Sequence, residues 1–169
     1  MDEIGLESGV QTNSGSKGGF NVDCTIETDQ QALIPDEYID VTAEKIRIYK
    51  QLDSMRSDKE LDRFRSQIED RFGHIPNELD NLFWVVKVRN LGSSLGFEKI
   101  IIKNGLLICF FVSNPLHPYY KSKVFSTVIK KIDSHNGLFA LKQVDSKLKT
   151  VSRGVDSIRK AFEFIQKLQ

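Results

Sequence analysis

A chain of 169 residues is long enough for one domain with a proper core and short for two of ordinary size. Its 40% hydrophobic and 28% charged residues are those of an ordinary globular protein, and no apolar run approaches the ~20 residues of a membrane span. The net charge of +1 hides a polarity: residues 1–80 hold 18 Asp+Glu against 9 Lys+Arg, and residues 81–169 hold 5 against 15. Such an asymmetry favours contact between oppositely charged surfaces or with nucleic acid.

Residues 1–19 are poor in apolar side chains and end in a Gly/Ser/Lys cluster, so they are expected to be a flexible linker or a cloning remnant, with the domain proper over 20–169. The start lacks the charged-then-apolar pattern of a signal peptide, and a cytoplasmic location is expected. From Phe20 the chain alternates, with Val22, Cys24 and Ile26 on one face of a strand. Ile34-Pro35 then biases the path to an extended entry.

Three helices are predicted next. The first, about Val41 to Met55, carries Ile46, Tyr49, Leu52 and Met55 as its apolar stripe. The second, about Asp58 to Phe72, is opened by a Ser57/Glu60 capping box, buries Leu61, Phe64, Ile68 and Phe72, and stops at Gly73 before Pro76. The third, about Asn77 to Leu95, is apolar over so much of its circumference that it should be central.

Strands follow. Phe97–Lys103 and Leu106–Val112 flank Asn104-Gly105, a strong hairpin signal because both central residues of a type I′ turn need positive φ. The second of these strands is apolar without alternation and is expected to be interior and covered on both faces. A helix from Pro118 to Ser134, strands at Leu138–Val144 and Lys147–Val151, and a final helix capped by Asp156 complete the reading. The fold class predicted is α+β: a small antiparallel sheet of about four to five strands packed against five to six helices.

The catalytic inventory is thin. His74, His117 and His135 fall in turns without partners at metal-ligand spacing, Cys24 and Cys109 read as packed thiols, and no phosphate-cradling glycine loop is present. No catalytic residue, metal or cofactor is therefore expected. Charged residues on the first two helices, Glu44, Glu60, Asp62, Glu69 and Asp70 among Arg47, Lys59, Arg63, Arg65 and Arg71, suit either a solvated face or a docking surface. Lys142, Lys147, Lys149 and Arg153 on the second hairpin are candidates for nucleic-acid contact, whereas Phe125, Phe139 and Phe162 read as core.

The run Leu33-Ile34-Pro35-Asp36-Glu37-Tyr38-Ile39, Arg47 with Tyr49-Lys50, Asp70-Arg71-Phe72-Gly73 before Pro76, and Leu91 with Leu95-Gly96 resemble the C-terminal domain of the bacterial transcription-repair coupling factor. That resemblance implies a non-catalytic regulatory piece of an ATP-driven DNA translocase, a protein that acts on stalled RNA polymerase and recruits UvrA to begin nucleotide excision repair. It further implies that the domain folds back on the UvrB-like N-terminal module and masks the UvrA-docking surface, with residues 1–19 as the linker after the motor. The matching docking residues here are Gln67, Asp70 and Arg71. Relatives often have an acid at the position of Gln67, a departure that weakens or moves an ion pair there. The rival reading, a nucleic-acid module built on the basic half, stays open at this point.

Overall fold

The computed structural model describes residues 21–169, so the linker expected over 1–19 lies outside the described residues. The described elements are β1 (Thr25–Thr28), α1 (Thr42–Ser54), α2 (Asp58–Phe72), α3 (Asn77–Leu95), β2 (Phe97–Lys103), β3 (Leu106–Phe111), α4 (Lys123–Ser134), β4 (Ala140–Val144), β5 (Lys147–Arg153) and α5 (Ile158–Gln166). They make the expected α+β architecture of five helices and five strands.

Helix α2 forms for local reasons. The Ser57 hydroxyl accepts from the Glu60 N–H while the Glu60 carboxylate reaches back to the Ser57 N–H, and Gly73 ends the helix at φ +97°. Leu61, Phe64 and Ile68 are buried, but Phe72 is only half-buried. Helix α1 corrects the predicted stripe: Ile48 and Leu52 are buried, whereas Ile46 is 47% exposed and Tyr49 lies at the surface. The reason is geometric, since steps of three fall short of a full turn by about 60° each and walk around the helix, while the 48, 52, 55 spacing stays on one side. Tyr49 is held instead by its hydroxyl, which accepts from the Ile34 N–H at 2.8 Å.

Helix α3 is the shared wall of two cores. Leu79, Phe83 and Val86 pack with Ile34, Ile39, Ile48, Leu52 and the apolar side of α2. One or two turns later, Val88, Leu91 and Leu95 pack with β2, β3, α4 and α5. The central place predicted for this helix is thus observed, and its terminus explains Gly96: the residue sits at φ +91° with the Tyr119 ring so close that an added Cβ would lie 2.1 Å from it.

The sheet order is β1-β2-β3-β5-β4. The β2–β3, β3–β5 and β5–β4 pairs are antiparallel as expected, but β1 runs parallel to β2. Three helices separate those two strands, long enough for the crossover that parallel pairing requires. Asn104 and Gly105 take positive φ in the predicted hairpin turn. Strand β3 is interior by order, yet it is not covered on both faces. Leu107, Cys109 and Phe111 are buried against the helices, and Leu106, Ile108 and Phe110 lie half-exposed on the other side.

Two boundaries also differ. The helix expected from Pro118 is split into a 3-10 turn (Pro118–Lys121) and α4, which restarts at Ser122, whose hydroxyl accepts from the Phe125 N–H. The last helix is capped by Ser157, accepting from the Lys160 N–H, and not by Asp156.

Candidate docking surface

The apolar side of α2 faces the α1–α3 core, which turns Gln67, Asp70 and Arg71 outward; all three are exposed. Gln67 and Asp70 stand one turn apart on the same side of the helix. Neither side chain has a hydrogen-bond or ion-pair partner among the described residues, and both are exposed.

Arg71 behaves differently. Its guanidinium reaches the Glu44 carboxylate on α1, with both nitrogen–oxygen distances at 3.2 Å, and lies 4.8 Å above the Phe72 ring. Arg47 also pairs with Glu44. Hydrogen bonding from Arg47, reinforced by the charges of Arg47 and Arg71, holds the Glu44 carboxyl below its ordinary range. Arg71 is thus drawn toward α1 as a brace between the two helices, leaving Asp70 as the outward charge.

The segment at 35–41 is clamped against the end of α2. The Tyr38 hydroxyl donates to the Gly73 carbonyl at 2.6 Å, and its ring packs 6.0 Å from that of Phe72. Between this segment and α2 lies a shallow concavity lined by residues 36–41 with Glu44, Arg71 and Phe72. Asp36 is paired with Lys45. Glu37 and Asp40 are exposed without an ion-pair partner among the described residues, and Val41 is 58% exposed. Sequence reasoning did not single out these three as site residues. The acidic pair directly after Ile34-Pro35 was the available signal, but only the fold brings it beside Arg71.

The basic candidates come together as well. Lys142 stands opposite Lys149 across the β4–β5 pair, and Lys147, Lys149 and Arg153 alternate onto the same sheet face. The Lys149 ammonium sits 5.5 Å over the Phe110 ring. The phenylalanines read as core are so placed: Phe139 and Phe162 are buried, and Phe125 packs against that core.

The histidines and cysteines form no constellation. His117 caps the 3-10 turn, its ring accepting from the Tyr119 N–H at 3.0 Å, His74 is exposed 3.7 Å from Glu69, and His135 contacts the Lys131 carbonyl. Burial pushes the Cys24 thiol up to about 12 and also raises that of Cys109 well above its ordinary value. Among the described residues no cluster of three or more His, Cys, Asp or Glu side chains could hold a metal ion, and no helix is long and apolar enough to cross a membrane.

Comparison with known proteins gives consistent results. The model of the TRCF domain family matches residues 28–122, more than half of the chain, from the last residue of β1 through the end of the 3-10 turn. A transcription-repair-coupling factor of Rickettsia bellii is 32% identical over 88 residues, 52% of this chain and 8% of that protein. Those of Rickettsia conorii and Escherichia coli are 27% identical, over 78% and 55% of this chain and 11% and 8% of theirs. The chain therefore corresponds to roughly a tenth of the length of these relatives. A crystal structure of the C-terminal domain of a transcription-repair coupling factor superposes with a TM-score of 0.72, at 16% identity, covering 90% of this chain and 94% of that one, which establishes a shared fold. A family match over more than half the chain, carried by the three helices and the first hairpin, shows that this protein belongs to the TRCF domain family.

Proposed function

We propose that the domain is a non-catalytic regulatory module of a transcription-repair coupling factor, working in the cytoplasm, that docks on the UvrB-like N-terminal module of its own protein and masks the UvrA-binding surface. The observation that carries this reading is the exposed end of α2, where Gln67 and Asp70 face outward without partners among the described residues, beside the acidic concavity of residues 36–41. Arg47 and Arg71 share the one Glu44 carboxylate, which leaves a single positive charge there against Glu37, Asp40 and Asp70, so the surface is net acidic and its partner patch is basic. Val41 adds an apolar contact at the rim.

In that arrangement docking desolvates Asp70 against a cation. Removing one member of such a pair costs about 2–5 kcal/mol, whereas removing a rim charge costs well under 1. The test is UvrA binding by the full-length parent protein carrying Asp70→Arg, with thermal melting as the control for folding. The reading predicts tighter UvrA binding at an unchanged melting temperature, because the repressed state loses its anchor while the apolar side of α2 is untouched. UvrA affinity equal to that of the unsubstituted protein rules Asp70 out of the contact.

A further inference from the structure

Helices α3, α4 and α5 cover one face of the sheet, and none of the outer-face side chains of β3 belongs to either core cluster. The strand register shows how that outer face is organised. Ile101, Ile108, Val151 and Ala140 stand opposite one another on four successive strands and form an apolar row across the sheet. On one side of it runs the row Lys99, Phe110, Lys149, Lys142, and on the other Lys103, Leu106, Arg153. An aliphatic stripe therefore lies between two cationic rails.

The dimensions fit one kind of guest. Same-face residues along a strand are about 6.8 Å apart, which sets the rails roughly 14 Å from each other, slightly more than the ~10–12 Å diameter of an α-helix with its side chains. Four strands span about 15 Å, the length of about ten helical residues. A helix laid along the row would bury its apolar stripe on Ile101, Ile108 and Val151 and meet cations on both shoulders. At the β1 end the single Glu27 carboxylate, opposite Ile101, closes the apolar row and offsets one of the two rail charges there, 3.0 Å from Lys99 and 3.6 Å from Lys103. Lys142, Lys147 and Arg153 at the other end have no ion-pair partner among the described residues, so the uncompensated charge gathers over β5 and β4.

We propose that this open sheet face is a docking site for an acidic amphipathic helix of a partner protein, an apolar stripe flanked by cationic rows being complementary to an apolar stripe flanked by carboxylates. This surface is built on the second core and does not depend on the regulatory role proposed for α2. A nucleic acid fits it less well. Sequence-tolerant strand binding relies on aromatic platforms for the bases, and these rows hold a single ring, Phe110, already facing the Lys149 ammonium. The aliphatic middle of the site offers a phosphate chain nothing.

The test titrates the isotope-labelled full chain with a synthetic peptide of about 14 residues that carries leucines at i, i+3, i+4 and i+7 and glutamates on both shoulders. The same residues in scrambled order and an oligothymidylate of similar length serve as competitors. The site predicts shifts of the Ile101, Ile108 and Val151 amides with the ordered peptide, and affinity lowered by about tenfold or more in Ile108→Gln and in Lys147→Glu. Ile108 is half-exposed, and Lys147 at the hairpin end serves as a second variant independent of any packing loss at 108. Equal binding of the scrambled peptide would reduce the face to bulk charge and overturn the proposal. So would an oligonucleotide that binds these residues more tightly than the peptide, or shifts confined to α2.

Discussion

At the scale of single residues, two positions are held by packing that leaves no slack. Gly96 ends α3 in the left-handed region with the Tyr119 ring against it, and the Tyr119 hydroxyl donates to the Leu95 carbonyl at 2.6 Å. A methyl group there meets both the backbone penalty of positive φ, ~1 kcal/mol, and overpacking against a buried ring, ~1–3 kcal/mol. Gly96→Ala is expected to lower the unfolding free energy by about 2–4 kcal/mol in urea titration; a loss under about 1 would mean the ring moves aside freely. The second position is Thr150, whose hydroxyl is buried on the inner face of β5 with no hydrogen-bond partner among the described residues. An orphaned hydroxyl costs about 1–3 kcal/mol, so the nearly isosteric Thr150→Val should raise stability by ~1 kcal/mol, and a measured fall would contradict the orphaned state. Residue-level features differed in how visible they were in the sequence. The outward direction of Gln67 and Asp70 follows from their offset to the 61, 64, 68 stripe. The Arg71–Glu44 brace spans 27 residues and two helices, so no local pattern announces it.

Elements with a complete local grammar were legible, and those decided by tertiary contacts were not. Helix α2 and the Asn104-Gly105 hairpin carry their own start, stop and turn signals, and both stand where the sequence puts them. Helix α1 has no side-chain cap, and its apolar residues admit two stripes; burial chose Ile48 and Leu52 because α3 approaches from that side. The parallel pairing of β1 and the bare outer face of β3 depend on where distant strands and helices settle, which hydrophobic pattern alone does not encode. The β4–β5 turn illustrates a weaker local signal. Asp145 and Ser146 both take positive φ, +52° and +68°, the pairing of a type I′ turn in which glycine is favoured at the second place. Ser146→Gly should relieve that strain and raise the melting temperature, with a gain of up to ~1 kcal/mol; a lower melting temperature would mean the serine is making a contact that offsets its backbone cost.

For the whole molecule, the charge polarity of the sequence becomes a division of surfaces. The acidic excess collects before α1, in residues 21–41, which hold six Asp+Glu and no Lys+Arg, whereas α1 and α2 together balance seven acidic with seven basic side chains; the basic excess lies on β5 and β4, and α3 joins the two cores. A protein arranged in this way offers an acidic rim at 36–41 and a basic hairpin at β4–β5, with no catalytic constellation among the described residues between them. The contact proposed for this protein joins the end of α2 and the acidic rim beside it to the UvrB-like module. The deciding measurement is calorimetric titration of the 169-residue chain with that module, supplied as a separate polypeptide. The account predicts saturable one-to-one association that Asp70→Arg weakens by at least about tenfold, a loss of ~1.4 kcal/mol, while the thermal melt of the variant stays that of the unsubstituted chain. Association unchanged by Asp70→Arg, or no association at any concentration, would contradict it.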